Sequence, residues 1–258
     1  MHFPPLGLRD RVAVVVGGTS GIGRTLALGL ADAGAEVVAS GRRAELVDSV
    51  AAEIAAMGRR TLRLPCDVAD RASLARLRDA VLGELGRVDI LINCAGRTRR
   101  TPTLDVSEEE WSAILDTNLT GMLRACQAFA PPMLERGYGR IVNVGSLTSL
   151  VGMQEVAAYT ASKSAVAGLT RALAVEWSPR GLCVNALAPG IFRTELNQAL
   201  LDGTERGREL LARTPMRRFG RLEELVGAAV FLSSEAASFV NGIVLVVDGG
   251  FLASGVNT

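Results

Sequence analysis

The sequence is poor in the side chains that most enzymes use for proton transfer and metal binding. Among its 258 residues there is one histidine, His2, and its 28 basic side chains are 27 arginines and a single lysine, Lys163. There are only two tyrosines, Tyr138 and Tyr159. One histidine beside the N-terminus excludes a His-rich zinc or iron centre and leaves a Ser-His-Asp triad without a firmly held base. Nucleophilic hydrolysis and metal catalysis are therefore poor explanations, and no metal is expected. The four cysteines, Cys66, Cys94, Cys126 and Cys183, form no pair at ligand spacing and mostly end apolar runs, as buried free thiols do. Excess charge is also missing: 28 basic against 27 acidic groups give no footprint for nucleic acid. No run of about 18 apolar residues is present to span a membrane. Residues 1–10 lack the basic-then-apolar order of a signal peptide, so a cytoplasmic protein is expected.

What is present is apolar and periodic. A 48% apolar fraction with 28 glycines is enough to bury a large core. Short β-branched runs recur at residues 12–16, 36–39, 61–66, 88–93, 140–144, 183–188 and 243–247. Between them, helical periodicity covers 25–33, 44–57, 73–85, 107–128, 157–177 and 222–232. Fully apolar strands alternating with amphipathic helices predict an α/β fold: one doubly wound Rossmann domain over residues 1–258, with a parallel sheet of about seven strands covered on both faces. The pattern breaks at residues 189–220, where short polar helical pieces at 194–201 and 205–211 replace it. In such a sheet ligands bind at the strand C-termini, so this stretch is expected as a substrate lid at about 190–220, a static surface subdomain being the alternative.

The first strand runs into Gly17-Gly18-Thr19-Ser20-Gly21-Ile22-Gly23 and then into a helix. At this position the glycines permit a tight turn and a close approach of backbone to a pyrophosphate, with the helix N-terminus aimed at the phosphates. A dinucleotide site is the reading, against a merely tight strand-to-helix turn. The second strand ends near Ser40, followed by Gly41, Arg42 and Arg43 rather than by an acid. An arginine without a neighbouring carboxylate suits a 2′-phosphate, so NADP(H) is favoured and NAD(H) stays possible; a solvated helix start is the alternative use of Arg42 and Arg43.

Tyr159 and Lys163 are four residues apart in a helical stretch and so share a face. Chance would put the lone lysine four residues after either tyrosine about 2 times in 258. A phenol near its ordinary pKa of about 10 is a poor acid-base group, but a cation at roughly 5 Å in an effective dielectric near 20 contributes about 3 kcal/mol, some two pKa units. The lysine is therefore expected to draw the phenol down. Ser146, thirteen residues before Tyr159, is placed to hold a carbonyl or alkoxide oxygen, and Asn118 interrupts a helix and can hold a water leading to the lysine. Taken singly, Ser146 could be a turn serine and Asn118 a surface asparagine.

Together these residues resemble the short-chain dehydrogenase/reductase family over nearly the whole chain. The glycine loop is similar to the family's TGxxxGIG, Asn93-Cys94-Ala95-Gly96 to its NNAG, and Ser146, Tyr159-x-x-x-Lys163 and Pro189-Gly190 to its catalytic and nicotinamide motifs. The resemblance implies Tyr159 as acid/base, Lys163 as ribose ligand and pKa modifier, Ser146 as orienting donor and Asn118 as relay. It also implies Asp67 and Val68 at the adenine, Asn93 near the cofactor ribose, and Ile191 and Thr194 at the carboxamide. Two departures, Val16 for the threonine before the first glycine and Cys94 for the second asparagine, bear on the rigidity of the loops. Within the family, residues 145–149, 174–177, 213–215 and 251–257 look most like gluconate 5-dehydrogenases and 2-deoxygluconate 3-dehydrogenases, and a homotetramer joined in part through the apolar C-terminal run is implied.

Arg97, Arg99 and Arg100 follow the fourth expected strand at its C-terminal end. A guanidinium fork suits a carboxylate, which makes Arg99 or Arg100 the candidate anchor of an acidic small-molecule substrate; solvated loop arginines are the alternative. Three functions remain open: reversible oxidation of a secondary alcohol to a ketone on a sugar acid or polyol, reduction of a 3-oxoacyl thioester on an acyl carrier protein, and non-catalytic dinucleotide sensing. The intact serine, tyrosine and lysine argue against the last, because binding alone needs no acid/base group.

Overall fold

Residues 12–16 are a run of valines and alanine with no polar side chain, and such a run can only be buried from both sides. In the computed structural model, which describes residues 6–194 and 197–256, it is the strand β1 (Val12–Val16), covered on both faces. His2, Glu195, Leu196 and Asn257, which the readings above include, lie outside the described residues. Five more strands join it: β2 (Glu36–Ser40), β3 (Ile90–Asn93), β4 (Gly139–Val144), β5 (Leu182–Pro189) and β6 (Val244–Val247). All pair in parallel in the order β2-β1-β3-β4-β5-β6. The side chains of β1 alternate between two cores. Val12, Val14 and Val16 face one layer, which holds helices α3 (Arg71–Leu85), α5 (Gly121–Glu135) and α6 (Ala157–Trp177). Ala13 and Val15 face the other, which holds α1 (Gly21–Asp32), α2 (Ala44–Ala56) and α9 (Val226–Ser233).

The sheet has six strands among the described residues, not seven. Residues 61–66 run beside the edge strand β2 without forming a ladder. Val37 N–H donates to Arg60 at 3.2 Å and Cys66 N–H to Gly41 at 2.9 Å, but no backbone bond to β2 is made between them. A side chain takes over there, as Ser40 Oγ donates to the Leu64 carbonyl at 2.5 Å. The helix expected at 107–128 is also divided. It comprises α4 (Glu108–Leu115), a π turn at Asp116–Thr120, and α5, which runs on to Glu135 with Pro131 and Pro132 inside it.

The chain leaves β1 to one side to make β2 and crosses back to place β3 on the other. The C-terminal ends of β1 and β3 thus form the topological switch point, where an open α/β sheet leaves a crevice. After β5 comes the excursion with α7 (Gln198–Leu201) and α8 (Glu205–Ala212). Its ends are tied by a bridge between Phe192 and Gly220.

Candidate active site

The glycine loop closes the switch point from one side. Gly17 has φ +81°, and a Cβ there would lie 2.4 Å from the Ala95 nitrogen; a Cβ on Gly23 would lie 2.0 Å from the Gly17 carbonyl oxygen. No side chain fits at either position, which keeps the backbone open toward a ligand at the N-terminus of α1. Val16, where a threonine hydroxyl was missing, is buried, and the loop is held through the backbone instead. Gly17 and Gly18 N–H groups both donate to the Ser40 carbonyl, at 2.8 and 3.0 Å, and Cys94 N–H donates to Val16 at 2.8 Å. Thr19 is buried against Gly41, Ser20 is the exposed N-cap of α1, and Thr194 approaches Gly21 from the excursion after β5.

Beyond β2 lie the residues expected at the adenosine end. Ser40 is turned inward to Leu64, while Arg42 and Arg43 are exposed and their guanidinium groups have no hydrogen-bond or ion-pair partner among the described residues. Asp67 and Val68 are held in place: Asp67 N–H donates to Ser73 Oγ at 3.1 Å, Asp67 Oδ1 accepts the Ala69 N–H at 3.0 Å, and Val68 packs on Gly121. Asn93 points into the core, donating to Asn143 Oδ1 at 2.9 Å. Its own Oδ1 is buried without a partner.

Tyr159 and Lys163 lie on one face of α6, with the ammonium 5.8 Å from the ring centre. Lys163 is buried and donates to the Val144 carbonyl at 2.7 Å, which ties it to the end of β4. Burial pushes its ammonium down to about 8. Burial also pushes the Tyr159 phenol up, and its hydrogen bond with Ser146 acts in the opposite direction. The expectation that the lysine draws the phenol down is therefore corrected for this arrangement. Desolvation sets the sign, since the lysine sits at some distance and directs its hydrogen bond elsewhere. Cys94, beside this pair at the end of β3, is a thiol pushed up to about 11 by burial.

Asn118 is fully buried in the π turn, not on the surface. Its Nδ2 donates to the Arg97 carbonyl at 2.9 Å and to Ser162 Oγ at 3.0 Å, and its Oδ1 accepts the Arg97 N–H at 2.8 Å. Ser162 Oγ donates in turn to the Tyr159 carbonyl at 2.7 Å. The asparagine thus clamps the loop after β3 to α6. Gly96 lies against this cluster: a Cβ there would come to ordinary contact distance of Asn118 Oδ1, 3.5 Å, and of Lys163 Nζ, 3.8 Å.

Two residues that the sequence reading passed over complete the frame. Ser149 Oγ donates to the Lys163 carbonyl at 2.8 Å and accepts the Ser146 N–H at 3.3 Å, joining the two catalytic candidates through one hydroxyl. The serine three places after Ser146 was the available signal, since that spacing makes a capping box. Ser162 had no such signal. The arginines are not equally available: Arg99 lies 3.4 Å from Glu110, Arg100 pairs with Glu155, and Arg97 is exposed. Pro189 and Gly190 end β5, where Gly190 N–H donates to Val247 at 2.8 Å and Ile191 accepts from Gly220 at 2.9 Å.

Comparison with known proteins agrees with this geometry. A family model described as enoyl-(acyl carrier protein) reductase matches residues 16–252. Gluconate 5-dehydrogenase of Gluconobacter oxydans is 46% identical over 255 residues, covering 98% of this chain and 100% of its own. A crystal structure of a gluconate 5-dehydrogenase from Burkholderia cenocepacia in complex with NADP and tartrate is 39% identical, with a TM-score of 0.94 over 98% of this chain and 99% of that one. A short-chain type dehydrogenase/reductase from Mycobacterium marinum is 36% identical, with a TM-score of 0.91 over 96% of this chain and 98% of that one.

Proposed function

This chain belongs to the short-chain dehydrogenase/reductase family, and we propose that it is an NADP(H)-dependent oxidoreductase interconverting a secondary hydroxyl and a ketone on a sugar acid or related polyol. One observation carries the reading: Tyr159, next to Ser146 and one helical turn from a buried ammonium, stands beside a glycine loop at the switch point of the sheet. A bound nicotinamide dinucleotide supplies or accepts the hydride. In this reading Gly17, Thr19, Ser20, Gly21, Ile22 and Gly23 hold its pyrophosphate, Arg42 and Arg43 its 2′-phosphate, and Asp67 and Val68 its adenine. Asn93, Ala95, Gly96 and Lys163 serve the ribose side, and Pro189, Gly190, Ile191 and Thr194 the carboxamide. The side-chain-free cradle and the unpaired arginines fit such a ligand.

The chain's own part is proton transfer and orientation. Ser146 holds the substrate oxygen, and Tyr159 donates the proton to a forming hydroxyl or removes it from one. Burial favours the protonated phenol, the form required for ketone reduction. Asn118 positions the loop after β3 and, as a relay, connects Lys163 to solvent. Arg99 or Arg100 anchors the substrate carboxylate, and the excursion at about 190–220 acts as a lid. The test is steady-state turnover of Tyr159→Phe with sugar acids and polyols. The expected result is loss of oxidation and reduction alike, and near wild-type rates in either direction would refute the role.

A second reading, reduction of a 3-oxoacyl thioester on an acyl carrier protein, draws on the description of the matched family model. Turnover of 3-oxoacyl esters in preference to sugar acids would favour it. The half-exposed apolar edge strand β6, with exposed Phe239 and Val175 nearby in the fold's C-terminal half, supports a homotetramer. The four free thiols suit a reducing, cytoplasmic compartment.

A further inference from the structure

Two of the three arginines that follow β3 already carry carboxylates of the chain itself. Arg99 Nε stands 3.4 Å from Glu110 Oε2, and Arg100 Nε donates to Glu155 Oε2. Both pairs are with carboxylates that a substrate acid could replace.

Glu155 is placed for more than surface pairing. It lies four residues before Tyr159, directly ahead of α6. Its backbone has φ +63°, in the left-handed region that side-chain-bearing residues seldom adopt. Its carbonyl accepts the Thr101 N–H at 2.8 Å. That bond keeps residue 155 beside residue 100 whatever the side chain does. From the other side, Arg206 of α8 reaches the Gln154 carbonyl at 3.4 Å. The loop after β3, the approach to α6 and the excursion after β5 therefore meet at residues 154–155. The pair is part-exposed, with side-chain accessibilities of 43% for Arg100 and 25% for Glu155. An ion pair in that setting is worth little, so a rotation of the glutamate side chain into water frees Arg100 at small cost.

We propose that Glu155 is a place-holder for the substrate carboxylate: it occupies Arg100 in the free enzyme, and an acidic substrate displaces it. The inference rests on the reading that Arg100 anchors that carboxylate. A sugar acid then competes with Glu155 for the guanidinium, whereas a neutral polyol leaves the pair closed. Glu155 thus sets the balance between the two substrate classes, and the backbone bond from Thr101 keeps the glutamate within reach of Arg100 after product leaves.

The test compares wild type, Glu155→Gln and Arg100→Ala, measuring KM for gluconate and for a neutral polyol of the same length at saturating cofactor. With Glu155→Gln the ratio of polyol KM to acid KM is expected to rise about two- to fivefold, the size of an exposed ion pair. With Arg100→Ala the acid KM rises and the ratio falls. An unchanged acid KM in Arg100→Ala removes the anchor and the exchange with it. A raised acid KM in Arg100→Ala, together with an unchanged or lowered ratio in Glu155→Gln, keeps the anchor and overturns the exchange, since Glu155 would then only orient Arg100.

Discussion

Lys163 directs its ammonium to the carbonyl of Val144 at 2.7 Å, so the only lysine of the chain bridges α6 and the end of β4 from a buried position. A guanidinium is larger and planar, and it cannot place a compact donor on that carbonyl while facing a phenol. Lys163→Arg keeps the charge, yet kcat/KM is expected to fall about 100-fold, equivalent to ~2.7 kcal/mol. Steady-state kinetics check it, and activity within a few fold of wild type would mean that charge alone suffices.

The same burial makes a stability prediction. The folded Lys163 is pushed from 10.5 down to about 8, so between those values the unfolded chain binds more protons than the folded one and stability rises with pH. Below about 8 both states carry the proton and the folded state bears the desolvation cost. Without cofactor, Lys163→Met is expected to be more stable than wild type at neutral pH by about 2 kcal/mol. The gap should close as the pH approaches 10.5. Urea unfolding of the two proteins across this range measures it; a gap independent of pH would contradict the cause given.

Burial also holds the thiols protonated, with Cys94 pushed up to about 11 and Cys126 to about 12, and with Cys66 and Cys183 raised as well. The thiolate is the nucleophile, so the native protein should react slowly with a disulfide reagent near neutral pH, at half-buried Cys94 as at the three buried thiols, and all four should react fast only on unfolding. Fast labelling of Cys94 in the native state is the contrary outcome.

Ser149 joins the Ser146 N–H to the Lys163 carbonyl. Its removal in Ser149→Ala should loosen the orienting serine without touching the glycine loop. The expected effect is a fall in kcat of about tenfold, ~1.4 kcal/mol, with the KM for cofactor unchanged. A raised KM for cofactor would contradict a local effect, and a lowered active fraction on cofactor titration would point to unfolding instead.

Much of this was legible because it is local. The helix bearing Tyr159 and Lys163 matches its observed bounds, Ala157–Trp177, and five of the six strands lie within one residue of their observed ends, since period and β-branching report directly on backbone state. β3 was drawn two residues too early, because Val88 is buried without being laddered. The extra strand at 61–66 differs for a similar reason: its apolar side chains alternate properly, but alternation alone does not guarantee a ladder, and the Leu64 carbonyl is taken by the Ser40 side chain. The π turn around Asn118 was visible only as a polar interruption.

By itself the sequence determined the doubly wound fold, the glycine turn and the shared face of tyrosine and lysine, because each follows from spacing along the backbone. Tertiary structure decided which groups meet and in what medium. It half-buried Tyr159 so that desolvation raises the phenol, gave Lys163 to Val144, set Glu155 on Arg100, and linked Ser149 to Lys163. These contacts join residues 14 to 55 positions apart or depend on the exclusion of water. Neither solvent exclusion nor long-range proximity is a property of any short stretch of sequence, so chemistry that spacing could locate had its charge states and partners assigned only by packing.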